Sequence, residues 1–392
     1  MTSSTAPDGT REIPFGRPWI GDEERAAVDR VLRGHILTHG PECAAFESEF
    51  AGFLGKGAHC STVSSCTTGL HLAYLGLGIG PGDEVIVPAQ THAATAHAVE
   101  WVGATPVFVD CDPATGNLTA ELIEPHLGQR TRAVSVVHFV GIPCGMPEIV
   151  ELADSRGLHV VEDCALAVGA RFDGRHVGLF GDAGCFSFYP VKHLTTAEGG
   201  MFVSRREELV THIARLRALG VDRRHDERAI PGMYDVPMLG HNFRMSEIQA
   251  ALGRVQLSRV DENLARRRAN FGILKDALAE VQGVRVLDAT DPRAENSHYC
   301  LTVVLDEELA ALRAGLIADL AAVGVGTSVY YPQPVPRMTY YREKYGYDPA
   351  RFPNSEAISD RSIALPVGPH LEPEDAEYVA AHAARVFTEG RA

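Results

Sequence analysis

The stretch AVSVVHFVGIPCGMPEIVELADSRGLHVVED, residues 133–163, decides the fold class of this 392-residue chain. It opens with the apolar run Ala133 to Val137 and closes with the run His159 to Val161, and Pro147 to Arg156 between them has helical spacing. Short buried strands separated by helices are typical of a mostly parallel sheet with helices on both faces. The stretch therefore predicts an α/β fold.

The same alternation is present on the amino-terminal side. Glu84 to Val87 and Pro106 to Val109 are predicted strands, and Ala93 to Val102 between them is a predicted helix. The pattern extends from about residue 58 to residue 205. In sheets of this kind ligands gather at the carboxyl ends of the strands, so candidate site residues are sought there.

Beyond residue 205 the pattern changes. Residues 221–241 are irregular and too long for a plain connection, which predicts a functional or partly disordered loop. Residues 245–281 are strongly helical, and a smaller α+β unit begins near residue 283. In that unit we predict strands near Cys300 to Val304 and Gly326 to Val329, and helices near Leu309 to Ala322 and Pro373 to Phe387.

These changes predict the domain organisation. Residues 1–12 are polar and lack the apolar core of a signal peptide, so we expect a flexible tail. Residues 13–255 are predicted to form a large cofactor-binding domain. Residues 256–392 are predicted to form a long helix and a small carboxyl-terminal domain.

Charge and cysteine content limit the partners. The formal net charge of -15 disfavours nucleic acid and anionic membranes, although one local basic pocket is compatible with a small anionic ligand. No apolar run approaches the ~18 residues of a membrane span. The eight cysteines lack the spacing of zinc sites or redox pairs, and they are too sparse for a secreted protein stabilised by disulfides. This predicts a cytoplasmic protein and no metal site.

Two segments carry candidate catalytic groups. Asp163, after Glu162, lies at the end of a predicted strand, where an acid is placed to meet a ligand; a helix N-cap or a surface acid is the alternative. Lys192 follows the aromatic segment 186–189 (FSFY) and precedes Gly199-Gly200. An amine in apolar surroundings can act as a nucleophile, whereas most loop lysines are simply solvated.

A third segment is a candidate anion site. Residues 64–69 (SSCTTG) precede the helical stretch Leu70 to Leu75 and offer free backbone N–H groups; ordinary N-capping is the alternative. Together the three segments fit pyridoxal phosphate (PLP), which needs a phosphate cup, an acid at its pyridine nitrogen and a lysine at its aldehyde.

The ordered set of motifs resembles the DegT-type sugar-nucleotide aminotransferases of the aspartate-aminotransferase (fold type I) PLP superfamily. The resemblance runs from about Pro14 to Leu371. Its motifs are residues 37–41 (LTHGP), 82–88 (GDEVIVP), 103–110 (GATPVFVD), 161–163 (VED), 186–192 (FSFYPVK), 198–200 (EGG) and 240–245 (GHNFRM). It implies a large domain with a mixed, mostly parallel sheet between helices, and a smaller α+β domain.

The resemblance also implies residue roles. Lys192 holds PLP covalently and shuttles protons, and Asp163 pairs with the pyridine nitrogen. Asn242 reaches the phosphate of the neighbouring subunit, which implies a homodimer with shared sites. The other implied cofactor contacts are Cys66, Thr67, Thr68 and Ser187 at the phosphate, His92 at the ring face and Leu166 beside the 3-hydroxyl. The substrate-binding candidates are Thr38, His39, Arg223, Arg224, Arg228, Arg244 and Tyr331.

The chain departs from the family pattern at four positions. Cys66 replaces a frequent glycine, and His92 replaces the commoner phenylalanine or tryptophan. Leu166 stands where glutamine or histidine is usual, and Pro336 stands where many relatives have histidine. The last two departures bear on substrate choice and on tuning of the cofactor.

The implied reaction is a two-step amino transfer. L-Glutamate gives its amino group to PLP, leaving pyridoxamine phosphate, and a nucleotide-linked keto-deoxysugar then takes the amine at carbon 4 or carbon 3. Biosynthesis of an antibiotic or a surface glycan is the expected setting. The alternatives are a cyclitol ketone as acceptor, a PLP-type sugar dehydratase, whose relatives carry histidine at the Lys192 position, and a non-catalytic protein that kept the fold.

Overall fold

The computed structural model describes the backbone of residues 4–5 and residues 11–222, 229–230 and 232–390. The strands are β1 (Ser4–Thr5), β2 (Arg11–Glu12), β3 (His59–Val63), β4 (Glu84–Pro88), β5 (Thr105–Val109), β6 (Thr131–Val137), β7 (His159–Asp163), β8 (Arg171–Phe172), β9 (Arg175–His176), β10 (Ala183–Ser187), β11 (Gly200–Ser204), β12 (Val284–Val286), β13 (Ala294–Glu295), β14 (Leu301–Leu305) and β15 (Ser362–Leu365).

The helices alternate with the strands in the first half of the chain and dominate the second. They are α1 (Asp22–Leu32), α2 (Pro41–Leu54), α3 (Cys66–Gly76), α4 (Ala93–Trp101), α5 (Ala120–Ile123), α6 (Met146–Arg156), α7 (Glu207–Leu216), α8 (Glu247–Ser258), α9 (Val260–Leu278), α10 (Glu307–Ala310), α11 (Arg313–Ala322), α12 (Thr339–Tyr345), α13 (Pro353–Arg361) and α14 (Pro373–Glu389). Among the described residues, none of these helices has the length and apolar character to cross a membrane.

The central sheet has seven strands in the order β3-β11-β10-β7-β6-β4-β5. The pairs from β10 to β5 are parallel, and β11 is antiparallel to both β10 and β3. Val85 and Val87 pack into the core formed with α3, α4 and α7, whereas Ile86 packs into the core formed with α6. Because both faces are covered, the strands consist of nearly continuous apolar residues. The predicted α/β fold is confirmed.

A second core lies in the carboxyl-terminal part. The antiparallel sheet β12-β14-β15 packs with α9, α11 and α14. Ile13 from the start of the chain is buried in the same core. The predicted domain boundaries are compatible with this division but stay a prediction.

Two predictions about elements in this half are wrong. Gly326 to Val329 is not a strand, because Gly326 N–H bonds the Ile13 carbonyl at 2.8 Å while Ser328 pairs with Ala364. Each end thus has a different partner and no ladder forms. The helix predicted from Leu309 to Ala322 is split into α10 and α11. The predicted helical stretch 245–281 is confirmed as two helices, α8 and α9, which meet at Arg259, whose backbone (φ −120°, ψ 19°) is not helical.

Glu162 holds the end of β7 to the turn before β10. One carboxylate oxygen accepts the N–H groups of Phe180 and Gly181 at 2.8 and 2.7 Å. The other accepts the N–H of Gly178 at 2.7 Å and Nε2 of His138 at 3.1 Å. His138 Nδ1 accepts the Cys144 N–H, which places the ring proton on Nε2. With Cys164 these groups have ligand atoms within 4.8 Å of one another, but both oxygens of Glu162 already have two donors, which is typical of a structural network.

We predict that Glu162→Gln destabilises the fold through this network and not through a catalytic group. An amide would turn its NH₂ group toward backbone donors and leave them unpaired, at a cost of about 3 kcal/mol in the free energy of unfolding. Urea denaturation measures this. Glu343→Gln, at an exposed position on α12, is the control and is expected to change that free energy by less than about 0.5 kcal/mol. Equal stability of the two variants would contradict the assignment.

Candidate active site

The segment after β10 forms the loop that carries Lys192. The base of the loop is closed by the Phe188 N–H on the Gly199 carbonyl at 3.0 Å and by the Thr196 N–H on the Phe188 carbonyl at 2.9 Å. Within it the Lys192 N–H bonds the Tyr189 carbonyl at 2.9 Å, so the lysine lies in a turn. Its amine lies 5.1 Å from the centre of the Tyr299 ring.

The surroundings of the Lys192 amine change its protonation. Burial lowers its pKa to about 8, while Cys66, Asp163 and Cys300 act in the opposite direction. Desolvation disfavours the charged form of an amine. A fraction of the amine is therefore neutral near neutral pH, as a nucleophile or a general base requires.

Asp163 is the last residue of β7 and is 5% exposed. One carboxylate oxygen accepts the Thr95 hydroxyl at 2.8 Å, and the other accepts the Ala165 N–H at 3.0 Å. Thr95 was missed by the sequence reasoning. The available signal was its position in the first turn of α4, three residues after His92, which places both on one helix face.

The candidate phosphate cup is the first turn of α3. The helix begins at Cys66, so the prediction that it starts near Leu70 is wrong by one turn. The apolar run begins only where the helix enters the core, which explains the error. Ser65 caps the helix, since its hydroxyl accepts the Thr68 N–H at 3.2 Å and the Thr68 hydroxyl accepts the Ser65 N–H at 3.1 Å. The amides of Cys66 and Thr67 lie in the first turn of α3, have no acceptor within the helix and are candidates to bind an anion.

The Cys66 side chain does not form part of the cup. Its thiol lies 3.3 Å from the Cys185 carbonyl and 3.7 Å from Asp163. Burial raises its pKa well above the ordinary value. Cys66 therefore offers only its backbone N–H to an anion at the start of α3, while its side chain packs against Asp163.

The sheet register brings the cup to the lysine loop. Gly200 at the start of β11 pairs with Ser187 on one side and Val63 on the other, and Val63 leads directly into the cup. A side chain at Gly200 would place its Cβ 2.6 Å from the Cys66 nitrogen and 2.7 Å from the Phe186 carbonyl oxygen. Only glycine allows this close approach.

His92 and Tyr331 lie at another side of the site. His92 is the N-cap of α4, and its Nδ1 accepts the Ala94 N–H at 3.1 Å. Burial lowers the pKa of His92, so the neutral ring is favoured. The rings of His92 and Tyr331 are 5.6 Å apart, and Phe139 lies 6.1 Å from Tyr331.

Leu166 is 2% exposed and belongs to the apolar cluster that includes Phe139 and that Tyr331 packs against. Its carbonyl accepts the Ser297 hydroxyl at 3.2 Å. Pro336, the other unusual position, is buried in the short helix Val335–Arg337. The contact between Leu166 and the cofactor stays a prediction.

Other candidates lie in the segments before α2 and α8. Thr38 and His39 are exposed between α1 and α2, in a segment bonded to α8 through the Leu37 carbonyl and the Glu247 N–H at 2.9 Å. Asn242 is exposed and Arg244 is half-buried just before α8. Across the described ranges, no hydrogen bond or ion pair joins Thr38, Asn242 or Arg244 to Lys192 or Asp163. Arg223, Arg224 and Arg228 lie outside the described residues.

The residues present fit PLP. A desolvated amine, a fixed carboxylate and the first two amides of α3 lie after the ends of β10, β7 and β3, and Gly200 allows the start of α3 to approach β10 closely. Lys192, Asp163, Ser187 and the Cys66–Thr67 amides are the groups that would hold it.

Comparisons with known proteins agree with this geometry. Residues 18–383 match the profile described as the DegT/DnrJ/EryC1/StrS aminotransferase family. The chain is 37% identical to the spore coat polysaccharide biosynthesis protein SpsC of Bacillus subtilis, over 94% of this chain and 95% of that protein. The aminotransferase TlmJ from Streptoalloteichus hindustanus has a TM-score of 0.87 at 34% identity, covering 96% of this chain and 98% of TlmJ. Spr1654 from Streptococcus pneumoniae, solved in a PMP form, has a TM-score of 0.91 at 27% identity, with 97% and 100% covered.

We predict that Gly200→Ala weakens PLP binding. The added methyl would push α3 away from β10, and such overpacking costs about 1–3 kcal/mol, or roughly 10- to 100-fold in affinity. Equilibrium dialysis with absorbance detection measures the change. Gly272→Ala is the control, because a Cβ there meets nothing within 4 Å. If Gly200→Ala bound PLP as tightly as Gly272→Ala, the cup would not be where α3 begins.

Proposed function

The chain belongs to the DegT/DnrJ/EryC1/StrS aminotransferase family, and from this premise we propose that it transfers the amino group of L-glutamate to a keto-deoxysugar carried by a nucleotide. It is a PLP-dependent aminotransferase. The observation that carries the proposal is the desolvated Lys192 amine beside Asp163 at the carboxyl end of the central sheet.

Lys192 would hold the cofactor and then move a proton at its Nζ in each half of the reaction. Because burial lowers its pKa to about 8, the amine exchanges a proton readily near neutral pH. Asp163, oriented by Thr95 and Ala165, would keep a proton on the pyridine nitrogen. When bound, PLP supplies an electron sink for the carbanion that forms beside the transferred amine.

The acceptor would enter past His92 and Tyr331, whose rings form a wall of the site. A nucleotide diphosphate needs local cations on this acidic protein. Arg244 is the described candidate, and Arg223, Arg224 and Arg228 are the candidates from the sequence. We propose amination at carbon 4 or carbon 3 in a cytoplasmic pathway for a surface glycan or an antibiotic, and the polysaccharide named for SpsC supports the glycan.

We also propose a homodimer with shared sites. Asn242 points its side chain to solvent in the single chain, although the resemblance assigns it to a cofactor phosphate. The segment before it exposes an apolar set that a second copy would cover: Ile230, Met233, Tyr234, Val236 and Leu239. Exposed apolar patches of this kind are typical of protein interfaces.

We predict amino transfer from L-glutamate to nucleotide-linked 4-keto and 3-keto deoxysugars, detected by mass spectrometry. Lys192→Ala should abolish the product. Asp163→Asn should lower kcat by about 100-fold or more, because an electrostatic partner of the reacting system contributes ~3 kcal/mol. A cyclitol ketone in the same panel tests the alternative acceptor. Dehydration without amine transfer would overturn the proposal.

Hybrid dimers test the shared site. Lys192→Ala and Asn242→Ala subunits, each inactive, should give about a quarter of wild-type activity after mixing and exchange, because half the dimers have one intact site. Lys192→Ala mixed with Asp163→Asn is the control. Both of those residues lie in one chain, so their hybrids should stay inactive. Recovery in the control, or none in the test mixture, would disprove sharing.

A further inference from the structure

The Lys192 amine has a neighbour that the family resemblance did not assign. Its nitrogen lies 5.1 Å from the centre of the Tyr299 ring, and Tyr299 is 4% exposed. An ammonium above a buried aromatic face is attracted by the electron-rich ring, more strongly than at an exposed site.

We propose that the Tyr299 ring binds the Lys192 ammonium through a cation–π contact whenever the lysine is released from the cofactor. Tyr299 is then a positioning residue, since it acts through Lys192. This inference rests on the proposed role of Lys192.

The ring is fixed at its outer end. The Tyr299 hydroxyl lies 2.7 Å from the Tyr330 hydroxyl, and the two rings meet edge to face with centres 5.3 Å apart. Tyr330 follows the segment that pairs with β15, so the tyrosine pair is anchored in the smaller sheet. The ring therefore presents a constant face to the amine.

The backbone at Tyr299 and the backbone of the lysine loop are held by one buried pair of side chains, Arg267 and Asn263. Arg267 on α9 is 4% exposed and donates to the Tyr299 carbonyl at 2.9 Å and to Asn263 Oδ1 at 2.9 Å. Asn263 in turn donates to the carbonyl of His193, the residue after Lys192. His193 Nε2 lies 3.0 Å from the Ser297 carbonyl. Arginine and asparagine thus hold the lysine loop and the ring segment in one register.

Other groups near the amine come from several elements. Asp163 at the end of β7 and the thiols of Cys66 on α3 and Cys300 before β14 favour the ammonium. The rings of His92 before α4 and His193 in the lysine loop also lie within electrostatic range. Tyr299 presents its aromatic face to the amine, and this contribution can be isolated by a substitution.

The test is the pH dependence of covalent PLP capture by the apoenzyme, followed by absorbance and by borohydride reduction. Capture needs the neutral amine. Tyr299→Leu removes the ring face and should move the midpoint of capture to lower pH by roughly half to one and a half units. Tyr299→Phe keeps the face, loses the bond to Tyr330, and should stay near the wild-type midpoint.

The outcomes are distinct. An unchanged midpoint in a folded Tyr299→Leu protein would overturn the proposed cation–π contact. If the leucine variant does not fold, Tyr299→Met is used in its place. A Tyr299→Phe midpoint shifted as far as that of Tyr299→Leu would also overturn it, because the hydroxyl and not the ring would then be responsible. Peptide mapping of the reduced wild type separates the two proposals: a label on another lysine contradicts the role of Lys192 itself.

Discussion

The structure depends on keeping the Lys192 amine partly out of water. Burial lowers the pKa of that amine to about 8, and the groups around it reduce the free-energy cost of desolvating the ammonium. Asp163 opposes the desolvation from one side, and the Tyr299 ring lies against the amine on another. Three distant parts of the chain, which contribute Asp163, Lys192 and Tyr299, must meet for this.

The two adjacent acids at the end of β7, Glu162 and Asp163, have different surroundings because they face opposite sides of the sheet. Successive side chains point to opposite faces of a sheet. Glu162 therefore faces the turn at residues 178–181, where its oxygens are saturated by donors, while Asp163 faces Thr95 and the cup. One acid fastens the sheet and the other stays available to a ligand. The sequence order alone did not distinguish the two roles.

Much of the large sheet was predictable because its signals are local. The runs that became β4, β5, β6 and β7 are apolar on both faces and are separated by helices with clear spacing. The predictions failed where distant contacts decide: α3 starts before its apolar run because Ser65 caps it, and Gly326 to Val329 has two different pairing partners. Thr95 was missed because its link to Asp163 spans 68 residues.

The sequence by itself determined the α/β class and the family, since hydrophobic periodicity and ordered motifs are written in neighbouring residues. It also predicted Lys192 and Asp163 as the catalytic pair. Only the tertiary structure decided which groups surround them. The Tyr299 ring, the Thr95 hydroxyl and the Cys66 thiol reach the site by long-range packing. The pKa of an amine depends on burial and on charges within a few ångströms, and these distances exist only after the chain has folded.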